Sequence, residues 1–452
     1  MNIIIAGGGR VGSTLARQLS AEGCDLTLID SDDRVLRSSM ERYDMIGILG
    51  NCASMEVLEQ AHVDDAVLLI AATDADEVNL LCCTIAHALN PKLHTIARIR
   101  NPEYGQQIYQ LRDVFGLSMA INPEKQAATE IDRLLKYPGF LRRDVFARGR
   151  TEIVELRIDA TSKLCNVSLF QLSSIIKCRV LVCAVLRDGT ALVPRGDFIL
   201  KEGDRIFVTA PSRDLTTLLR SLGIITRRIR KVMLCGGGHV SHYLAALLEE
   251  RGIETKLIDS DMARCQELTE LLPDTAIAHG DCSDLEVLES EGLSDRDALV
   301  ALTGSDELNM IISLYATSKG VPQVITRLAD TTNRGILDAL KLGSVICPKE
   351  LCCNDIVRYV RAMQNQTGAA ISVHAIADGQ VEAMEFLVDD SCDHCGIPLR
   401  SLKTRPNVLI ASITHGARTE IPNGDSVFHK GDTLVVVTSG RGVLKQMSDI
   451  FD

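Results

Sequence analysis

The sequence has no apolar segment long enough to cross a membrane. A spanning helix needs about 18 or more consecutive apolar residues, whereas one of the longest runs among the 452 residues is only Ala66–Ala72. The start of the chain also lacks the cationic stretch and the apolar stretch of a secretory signal. These two absences predict a soluble, intracellular protein.

Positive charge is scarce and scattered along the chain. The sequence has 48 lysines and arginines against 60 aspartates and glutamates, which gives a net charge of −12. Its short basic stretches, 228–231 and 140–150, are typical of solvated linkers or interface edges. Because neutralised phosphates supply most of the affinity for nucleic acid, we expect no nucleic-acid partner.

The cysteines do not form a pattern that predicts disulfides or a metal centre. Their number, 15, is odd, and the chain shows no secretory signal, so a disulfide framework is not expected. Most of them, such as Cys82 and Cys183, lie in apolar segments, where a thiol behaves as a small hydrophobic group. Cys392 and Cys395 form a single CxxC with no second pair nearby. We therefore predict no metal site, although the sequence leaves open whether either of the two small lobes predicted below binds a second messenger or a metal ion.

The chain is one unit copied with an offset of 228 to 230 positions. Gly236 follows Gly7 by 229 positions, and Asp259 follows Asp30 by the same number. The segment GNCASMEVLE recurs as GDCSDLEVLE, and VPRGDFILKEGDRIFV recurs as IPNGDSVFHKGDTLVV. Several independent matches at one offset show that the duplication covers almost the whole of each half.

Each half changes character part-way along. Short apolar strands first alternate with amphipathic helices, which is the pattern of a parallel, doubly wound sheet; shorter strands separated by turn residues follow. We predict an α/β protein with two Rossmann-like doubly wound parallel-sheet lobes, each followed by a small α+β lobe. The predicted domains are 1–137 (first nucleotide-type lobe with its last helix), 138–226 (first small lobe), 227–368 (second nucleotide-type lobe) and 369–452 (second small lobe).

The first lobe begins with the glycine loop GGGRVG, between the strand NIIIA and a helix. In such a loop Gly7 permits the tight turn, Gly9 lets phosphate approach the backbone, and Gly12 lets the helix pack on the strand. The helix start offers unpaired N–H groups and about half a positive charge to an anion. Asp30 ends the next strand, where a carboxylate would hold ribose hydroxyls and repel a 2′-phosphate. NAD or an adenine nucleotide is therefore favoured over NADP.

The second lobe carries the related loop GGGHVS. Gly236 and Gly238 keep the first two glycine positions, and Asp259 supplies the ribose carboxylate. Ser241 replaces the third glycine, a position that serves helix packing, so we expect the small serine to be tolerated with a slight shift. We predict a second site here, which need not prefer the same nucleotide.

Further polar residues follow the other strands of each predicted sheet. The segments 51–53 and 281–283, after the third strand, could border an adenine ring. Arg98 and Arg327 end the fifth strand, where an arginine can bind phosphate oxygens through both arms of its guanidinium; a salt bridge to a neighbouring subunit is the alternative. Asn79 and Asn309 on the next helices could also belong to these sites; a helix-capping or internal hydrogen-bonding role is the alternative. The predicted sites therefore also contain Arg10, Val11, Asn51, Cys52, Ala72, Thr73, Asp74 and Arg98 in the first half, and His239, Val240, Asp281, Cys282, Thr303 and Arg327 in the second.

These motifs resemble a known family. The segments GGGRVGSTLARQL, LIDSD, AATDADEVNLL, ARIRNPEY and VPRGDFILKEGD resemble the RCK (or KTN) domains that regulate potassium transport. Two copies in tandem resemble the regulatory subunits of the bacterial Trk potassium uptake system. The resemblance implies that the nucleotide-type lobes respond to NAD(H), ADP and ATP.

The same resemblance implies an assembly and a partner. It implies a homotetrameric ring in the cytoplasm, at the inner face of the cell membrane, beneath a TrkH- or TrkG-like potassium-translocating subunit. It also implies that the helices at Asn122–Tyr137 and Cys347–Met363 pair lobes across the ring. Three features depart from the family's pattern: Ser241, Gly304 in the place of Asp74, and the CxxC of the second small lobe.

Two other functions fit the glycine loops. An NAD-dependent oxidoreductase needs a substrate domain that presents an acid–base group to the nicotinamide, but Thr151–Gly223 contains no histidine. A pure scaffold with vestigial sites is the other alternative, and the intact first loop argues against it. We therefore predict a regulatory protein with no catalytic residues.

Overall fold

A computed structural model gives the structure of the protein. It describes residues 1–136, 140–160, 162–222, 228–331, 337, 340, 342–364, 370–389, 392–439, 444 and 446–451. The predicted domain boundaries at 137/138, 226/227 and 368/369 lie outside the described residues, as does the last residue of the predicted helix 122–137. Among the described helices, none combines the length and the apolar character that a membrane crossing requires.

A six-stranded parallel sheet forms the first lobe, with strand order β3-β2-β1-β4-β5-β6. Its central strands are buried on both faces by helices, which is why they are continuous apolar runs rather than alternating ones. The strands are β1 (Asn2–Ala6), β2 (Asp25–Asp30), β3 (Ile46–Leu49), β4 (Leu68–Ala71), β5 (His94–Arg98) and β6 (Met119–Ile121). The helices are α1 (Arg10–Ala21), α2 (Asp33–Met40), α3 (Met55–Gln60), α4 (Asp76–Leu89), α5 (Pro102–Leu111) and α6 (Pro123–Lys136).

The first small lobe is an antiparallel sheet with strand order β10-β9-β11-β8-β7. Its strands are β7 (Arg142–Phe146), β8 (Thr151–Arg157), β9 (Leu181–Arg187), β10 (Thr190–Leu192) and β11 (Arg205–Pro211). The short helix α7 (Leu172–Ile175) and the helix α8 (Leu215–Leu222) complete the described part of this lobe.

The second half repeats both sheets. The parallel sheet has the order β14-β13-β12-β15-β16-β17, and the antiparallel sheet has the order β18-β19-β22-β20-β21. The strands are β12 (Lys231–Cys235), β13 (Glu254–Asp259), β14 (Ala276–His279), β15 (Ala298–Ala301), β16 (Gln323–Arg327), β17 (Ser344–Ile346), β18 (Ser372–Ile376), β19 (Val381–Leu387), β20 (Val408–His415), β21 (Arg418–Glu420) and β22 (Thr433–Ser439). The helices are α9 (His239–Glu250), α10 (Met262–Leu271), α11 (Leu285–Ser290), α12 (Asp306–Ser318) and α13 (Pro348–Gln364). The predicted fold class is confirmed.

The last helix of each nucleotide-type lobe packs on the other lobe. Ile131, Leu134 and Leu135 of α6 are buried in one core with Leu244 and Leu248 of α9. Polar contacts fix the same crossing, since Asp132 forms an ion pair with Arg251.

The reciprocal crossing joins α13 to α1 in the first lobe. Cys353 and Ile356 of α13 share a core with Leu15 and Leu19 of α1. The two crossings bury apolar faces of both helices, which is the main stabilising contribution available to them. The predicted pairing helices therefore pair the two halves of one chain.

The two antiparallel sheets also pack on each other. One core contains Phe146 and Phe207 from the first small lobe together with Ile376, Val435 and Val437 from the second. The chain is therefore built as an internal dimer, with the crossing helices joining the parallel-sheet lobes and this core joining the small lobes.

Candidate nucleotide-binding sites

The three glycines of the first loop meet different surroundings. Gly7 has φ +98°, and a Cβ there would lie 2.9 Å from the amide nitrogen of Thr73. A Cβ on Gly12 would lie 1.8 Å from the carbonyl oxygen of Gly7. A Cβ on Gly9, in contrast, would meet no atom within 4 Å. The fold itself requires Gly7 and Gly12, whereas Gly9 borders open space beside the loop.

The start of α1 presents unpaired amides to this space. Gly9 is the N-cap residue, and no side chain caps the helix. The first intrahelical hydrogen bond runs from Ser13 N to Gly9 O at 2.9 Å, so the preceding amides of the first turn have no helical acceptor. A helix start of this kind attracts anions through its N–H groups and its dipole.

Asp30 holds the loop in place. One of its carboxylate oxygens accepts a hydrogen bond from Gly8 N at 2.6 Å, and the other accepts one from Asp32 N at 2.8 Å. An ionised carboxylate has about four acceptor positions, so two remain for a ligand. The predicted ribose carboxylate is therefore also a structural residue of the loop, which the sequence analysis did not foresee.

The second loop has the same geometry with one adaptation. Gly236 has φ +105°, and Asp259 accepts hydrogen bonds from Gly237 N at 2.5 Å and Asp261 N at 2.8 Å. The hydroxyl of the buried Ser241 donates to the carbonyl oxygen of Gly236. In the first loop the Gly7 carbonyl oxygen leaves no room for a side chain at Gly12. In the second loop the equivalent oxygen, that of Gly236, accepts the hydrogen bond of the Ser241 side chain.

Removing this hydroxyl tests the adaptation. Ser241→Ala keeps the Cβ but leaves the buried Gly236 carbonyl without that donor, so we expect a loss of about 1–2 kcal/mol in the free energy of unfolding. Denaturant unfolding of the full chain measures the loss. Ser294→Ala, on an exposed hydroxyl that donates to Glu289, is the control and should change the stability by less than about 0.5 kcal/mol. Equal effects of the two changes would contradict this role.

A buried asparagine joins the ends of two strands in each sheet. Asn79 is fully buried; its Oδ1 accepts from Thr73 N at 2.8 Å and Thr73 Oγ1 at 2.7 Å. Its Nδ2 donates to Thr73 O at 3.2 Å and to Arg98 O at 2.9 Å. Asn309 makes the same four bonds to Thr303 and Arg327. The sequence left open a role in the site and a capping or internal hydrogen-bonding role, and in the structure these asparagines make the internal hydrogen bonds.

Arg98 lies at the carboxyl edge of the first sheet with unused hydrogen-bonding capacity. Its side chain is 12% exposed and lies 3.8 Å from carboxylate oxygens of both Asp74 and Glu124. In the described part of the chain, neither Arg98 Nε nor Glu124 Oε2 has a hydrogen-bond partner, although both atoms are buried. Such a guanidinium is suited to an incoming phosphate.

Arg327 has different surroundings in the second sheet. Its Nη1 donates to the carbonyl oxygen of Thr303 at 2.9 Å, and Gly304 stands where the first site has Asp74. The Nε of Arg264 in α10 donates a hydrogen bond to the carbonyl oxygen of Gly237 at 2.7 Å. This arginine places another positive charge beside the second loop, which the sequence did not predict. The two sites therefore share a backbone frame but differ in charge.

The remaining predicted residues divide between the surface and the cores. Arg10 and His239 are exposed at the starts of α1 and α9. Val11, Val240 and Ala72 are buried, so their side chains belong to the cores and only their backbone adjoins the loops.

The predicted adenine border needs a correction. Cys52 and Cys282 are each only 5% exposed and pack in the sheet cores, so their thiols do not line the sheet edge. Asn51 and Asp281 keep positions at that edge, where their side chains accept from backbone amides two residues ahead, at 3.0 and 2.8 Å. The Ser283 amide holds the pKa of Asp281 below its usual value.

One acidic residue per site escaped the sequence analysis. Asp76, 7% exposed, accepts from the amides of Arg100 and Asn101, both at 2.8 Å. Asp306 accepts from Ala329 N at 2.8 Å in the same way. The signal was present in the repeated pattern TDADE and TGSDE, whose fourth residue is aspartate in both copies.

Comparison with known proteins identifies the domains. Models of the TrkA-N domain match residues 3–123 and 232–348, and models of the TrkA-C domain match 153–223 and 383–451. The chain belongs to the TrkA family. The predicted resemblance is therefore confirmed.

Relatives and solved structures agree with this assignment. The Trk system potassium uptake protein TrkA of Halomonas elongata is 28% identical over 100% of this chain and 98% of its own length. The TrkA homolog of Archaeoglobus fulgidus is 31% identical over 96% of this chain and 97% of its own length.

The fold is shared with solved RCK structures. The GsuK RCK domain superposes with a TM-score of 0.62 at 16% identity, over 97% of this chain and 92% of its own. The GsuK channel bound to NAD gives a TM-score of 0.61 at 15% identity, over 97% and 77%. At such identities the likeness shows the fold alone.

Proposed function

We propose that this TrkA-family protein is a nucleotide-sensing regulatory subunit of a Trk-type potassium transporter. It acts as a homotetrameric ring in the cytoplasm, at the inner face of the cell membrane, and gates a TrkH- or TrkG-like potassium-translocating subunit by changing shape. NAD(H), ADP and ATP are its ligands, and both glycine loops take part.

The arrangement of groups along the sheet edge carries this proposal. Gly7, in the loop after β1, closely approaches Thr73, in the segment after β4. The next strand of the sheet, β5, pairs with β4 and ends at Arg98. Neighbouring strands lie about 4.8 Å apart, so the loop amides and the strand-end guanidinium lie along one edge of the sheet, two strand spacings from each other, where both can contact the phosphates of one nucleotide. β1 and β4 also form the point where the strand order reverses, and ligands of open parallel sheets bind at such points.

The crossing helix α6 offers a route from ligand to motion. Glu124, in the first turn of α6, lies 3.8 Å from the Arg98 guanidinium, and the rest of α6 packs on the second lobe. A ligand phosphate on Arg98 competes with Glu124 for the same cation. Each nucleotide would therefore set a different attraction between the first sheet and the helix that joins the two halves.

The energetic requirement is moderate. A ligand shifts a conformational equilibrium only by the difference in its affinity for the two states. A shift from 1:99 to 99:1 takes about 5.5 kcal/mol, and several sites per ring, each contributing on the order of 1 kcal/mol, could together supply it.

Changing Arg98 tests both the site and the ligands. Arg98→Gln removes the charge that would hold the phosphate, and we expect about tenfold weaker binding of NADH, NAD, ATP and ADP at the first site. Isothermal titration of the full-length protein measures the affinities. Arg112→Gln is the matched control, because Arg112 is 62% exposed and, among the described residues, forms an ion pair with the adjacent Asp113.

Three results would count against the proposal. Unchanged affinity in the Arg98→Gln protein would exclude Arg98 from the site. If none of the four nucleotides changes the potassium flux through the membrane partner, reconstituted with this protein, the regulatory function would be excluded. Oxidation of NADH that depends on an added substrate would favour the oxidoreductase instead.

A further inference from the structure

A cluster of two histidines and one aspartate lies in the second small lobe, away from both glycine loops. His415 Nδ1 is 2.7 Å from Asp432 Oδ2, and His429 Nδ1 is 3.9 Å from the same oxygen. One nitrogen or oxygen atom from each residue lies within 4.8 Å of the others. His429 and Asp432 lie three residues apart in the segment before β22, and the pairing of β20 with β22 brings His415, at the end of β20, to them.

The first small lobe provides an internal comparison. Its residues at the corresponding positions are Arg187, Lys201 and Asp204. The Arg187 guanidinium donates to both oxygens of Asp204, from Nε and from Nη2, at 2.7 Å each. The duplicated lobes therefore keep the aspartate but replace an arginine and a lysine with two histidines.

This replacement changes the chemistry of the position. Arginine and lysine supply a permanent positive charge and cannot bind a metal ion at neutral pH, whereas neutral imidazole is a common ligand of transition metals. A single histidine beside Asp432 would suffice to replace the ion pair of the first lobe. The second histidine exceeds that need, and its side chain is 61% exposed, so it is not required for packing.

We propose that His415, His429 and Asp432 bind a divalent transition-metal ion of the zinc type. Two imidazole nitrogens and a carboxylate oxygen leave a fourth position for water, as in open zinc sites. Zinc bonds of about 2.0–2.2 Å place neighbouring ligand atoms roughly 3.3 Å apart, which requires the exposed His429 ring to turn toward Asp432. The 2.7 Å hydrogen bond between His415 Nδ1 and Asp432 Oδ2 must also open, and a nitrogen that binds the ion gives up its proton. Mg²⁺ and Ca²⁺ prefer oxygen ligands and should bind poorly here.

The surroundings show what the ion would stabilise. Asp432 is fixed for ligation, because its carboxylate accepts from His429 N at 2.7 Å and its backbone carbonyl from Val388 N at 2.9 Å. The neighbouring Gly416 carbonyl accepts a hydrogen bond from Arg150 of the first small lobe. An ion at this position would link the residue before the β20–β21 turn to the residue before β22. This link would lie next to the Arg150–Gly416 hydrogen bond between the two small lobes.

Zinc titration of the full-length, untagged, chelator-treated protein tests the proposal. We expect one site per chain that depends on the cluster, a Zn²⁺-dependent rise in the melting temperature through preferential binding to the folded state, and a Co²⁺ absorption spectrum typical of nitrogen and oxygen ligands. His429→Ala, which changes an exposed side chain, should weaken this Zn²⁺ affinity by about tenfold or more.

A second variant restores the residues of the first lobe. The double substitution His415→Arg with His429→Lys should keep the melting temperature of the metal-free protein but abolish the rise with Zn²⁺. Cys392→Ser with Cys395→Ser is the control for zinc bound by thiols and should leave the Zn²⁺ affinity of the histidine site unchanged. Zn²⁺ binding that survives both histidine variants, or that disappears with the cysteines, would overturn the proposal.

Discussion

Asn79→Ala is expected to lower the free energy of unfolding of the first parallel-sheet lobe by about 3–5 kcal/mol. The side chain is fully buried and makes four hydrogen bonds, three to Thr73 and one to the carbonyl of Arg98. Alanine leaves these donors and acceptors unpaired, and each unpaired buried group costs about 1–3 kcal/mol. The end of β5 and the segment after β4 would then no longer be joined by hydrogen bonds. Because Thr73 and Arg98 belong to the predicted site, nucleotide affinity should fall together with the stability.

Denaturant unfolding of the full chain, followed by a probe in the first lobe, measures this effect. Leu81→Ala is the control on the same helix, because Leu81 is 51% exposed, and its effect should stay within about 0.5 kcal/mol. Asn309→Ala should produce the same loss in the second lobe. An Asn79→Ala protein as stable as the Leu81→Ala protein would show that the hydrogen bonds do not act as described.

Gly9→Ala is expected to weaken nucleotide binding at the first loop on the order of 100-fold. A methyl group on Gly9 meets no protein atom within 4 Å, and the residue has φ −62°, so alanine fits the fold. The methyl would occupy the space through which a phosphate reaches the amides of α1. The melting temperature of the ligand-free protein should therefore stay nearly constant while the affinity falls.

The two loops control for each other. Gly238→Ala places a methyl in similar open space beside the second loop, so each variant should remove one class of site in a titration and spare the other. Asp30→Ala is a poorer test, because the Asp30 carboxylate also holds the amides of Gly8 and Asp32. Unchanged nucleotide affinity and unchanged control of potassium flux in the Gly9→Ala, Gly238→Ala double variant would favour the scaffold function.

The fold and the backbone frame of both sites followed from the sequence. Duplication at one offset predicted two like halves, and buried apolar strands alternating with helices predicted the parallel sheets. The glycine loops were predictable because their conformation is a backbone property: the left-handed φ of Gly7 and the close approach at Gly12 depend on the missing side chain.

Side-chain roles within the sites were less predictable. Cys52 and Cys282 follow the third strand in sequence. Adjacent residues there point in different directions, so the preceding Asn51 and Asp281 are exposed while both thiols lie in the core. Asn79, Asp76 and Arg264 act through backbone groups of other segments. The repeated aspartate of TDADE and TGSDE marked the position of Asp76 in both copies, but the backbone partners of these side chains on other segments are revealed only by the folded structure.

By itself, the sequence determined the fold class, the duplication and the two phosphate-type loops, because local periodicity and glycine geometry act over a few residues. The tertiary structure alone decided that α6 and α13 cross between halves of one chain, and that His415, His429 and Asp432 meet. The helix crossings depend on which apolar faces remain unburied after each lobe has folded, and the cluster depends on the pairing of β20 with β22. Both are properties of the packed chain and not of any short segment of it.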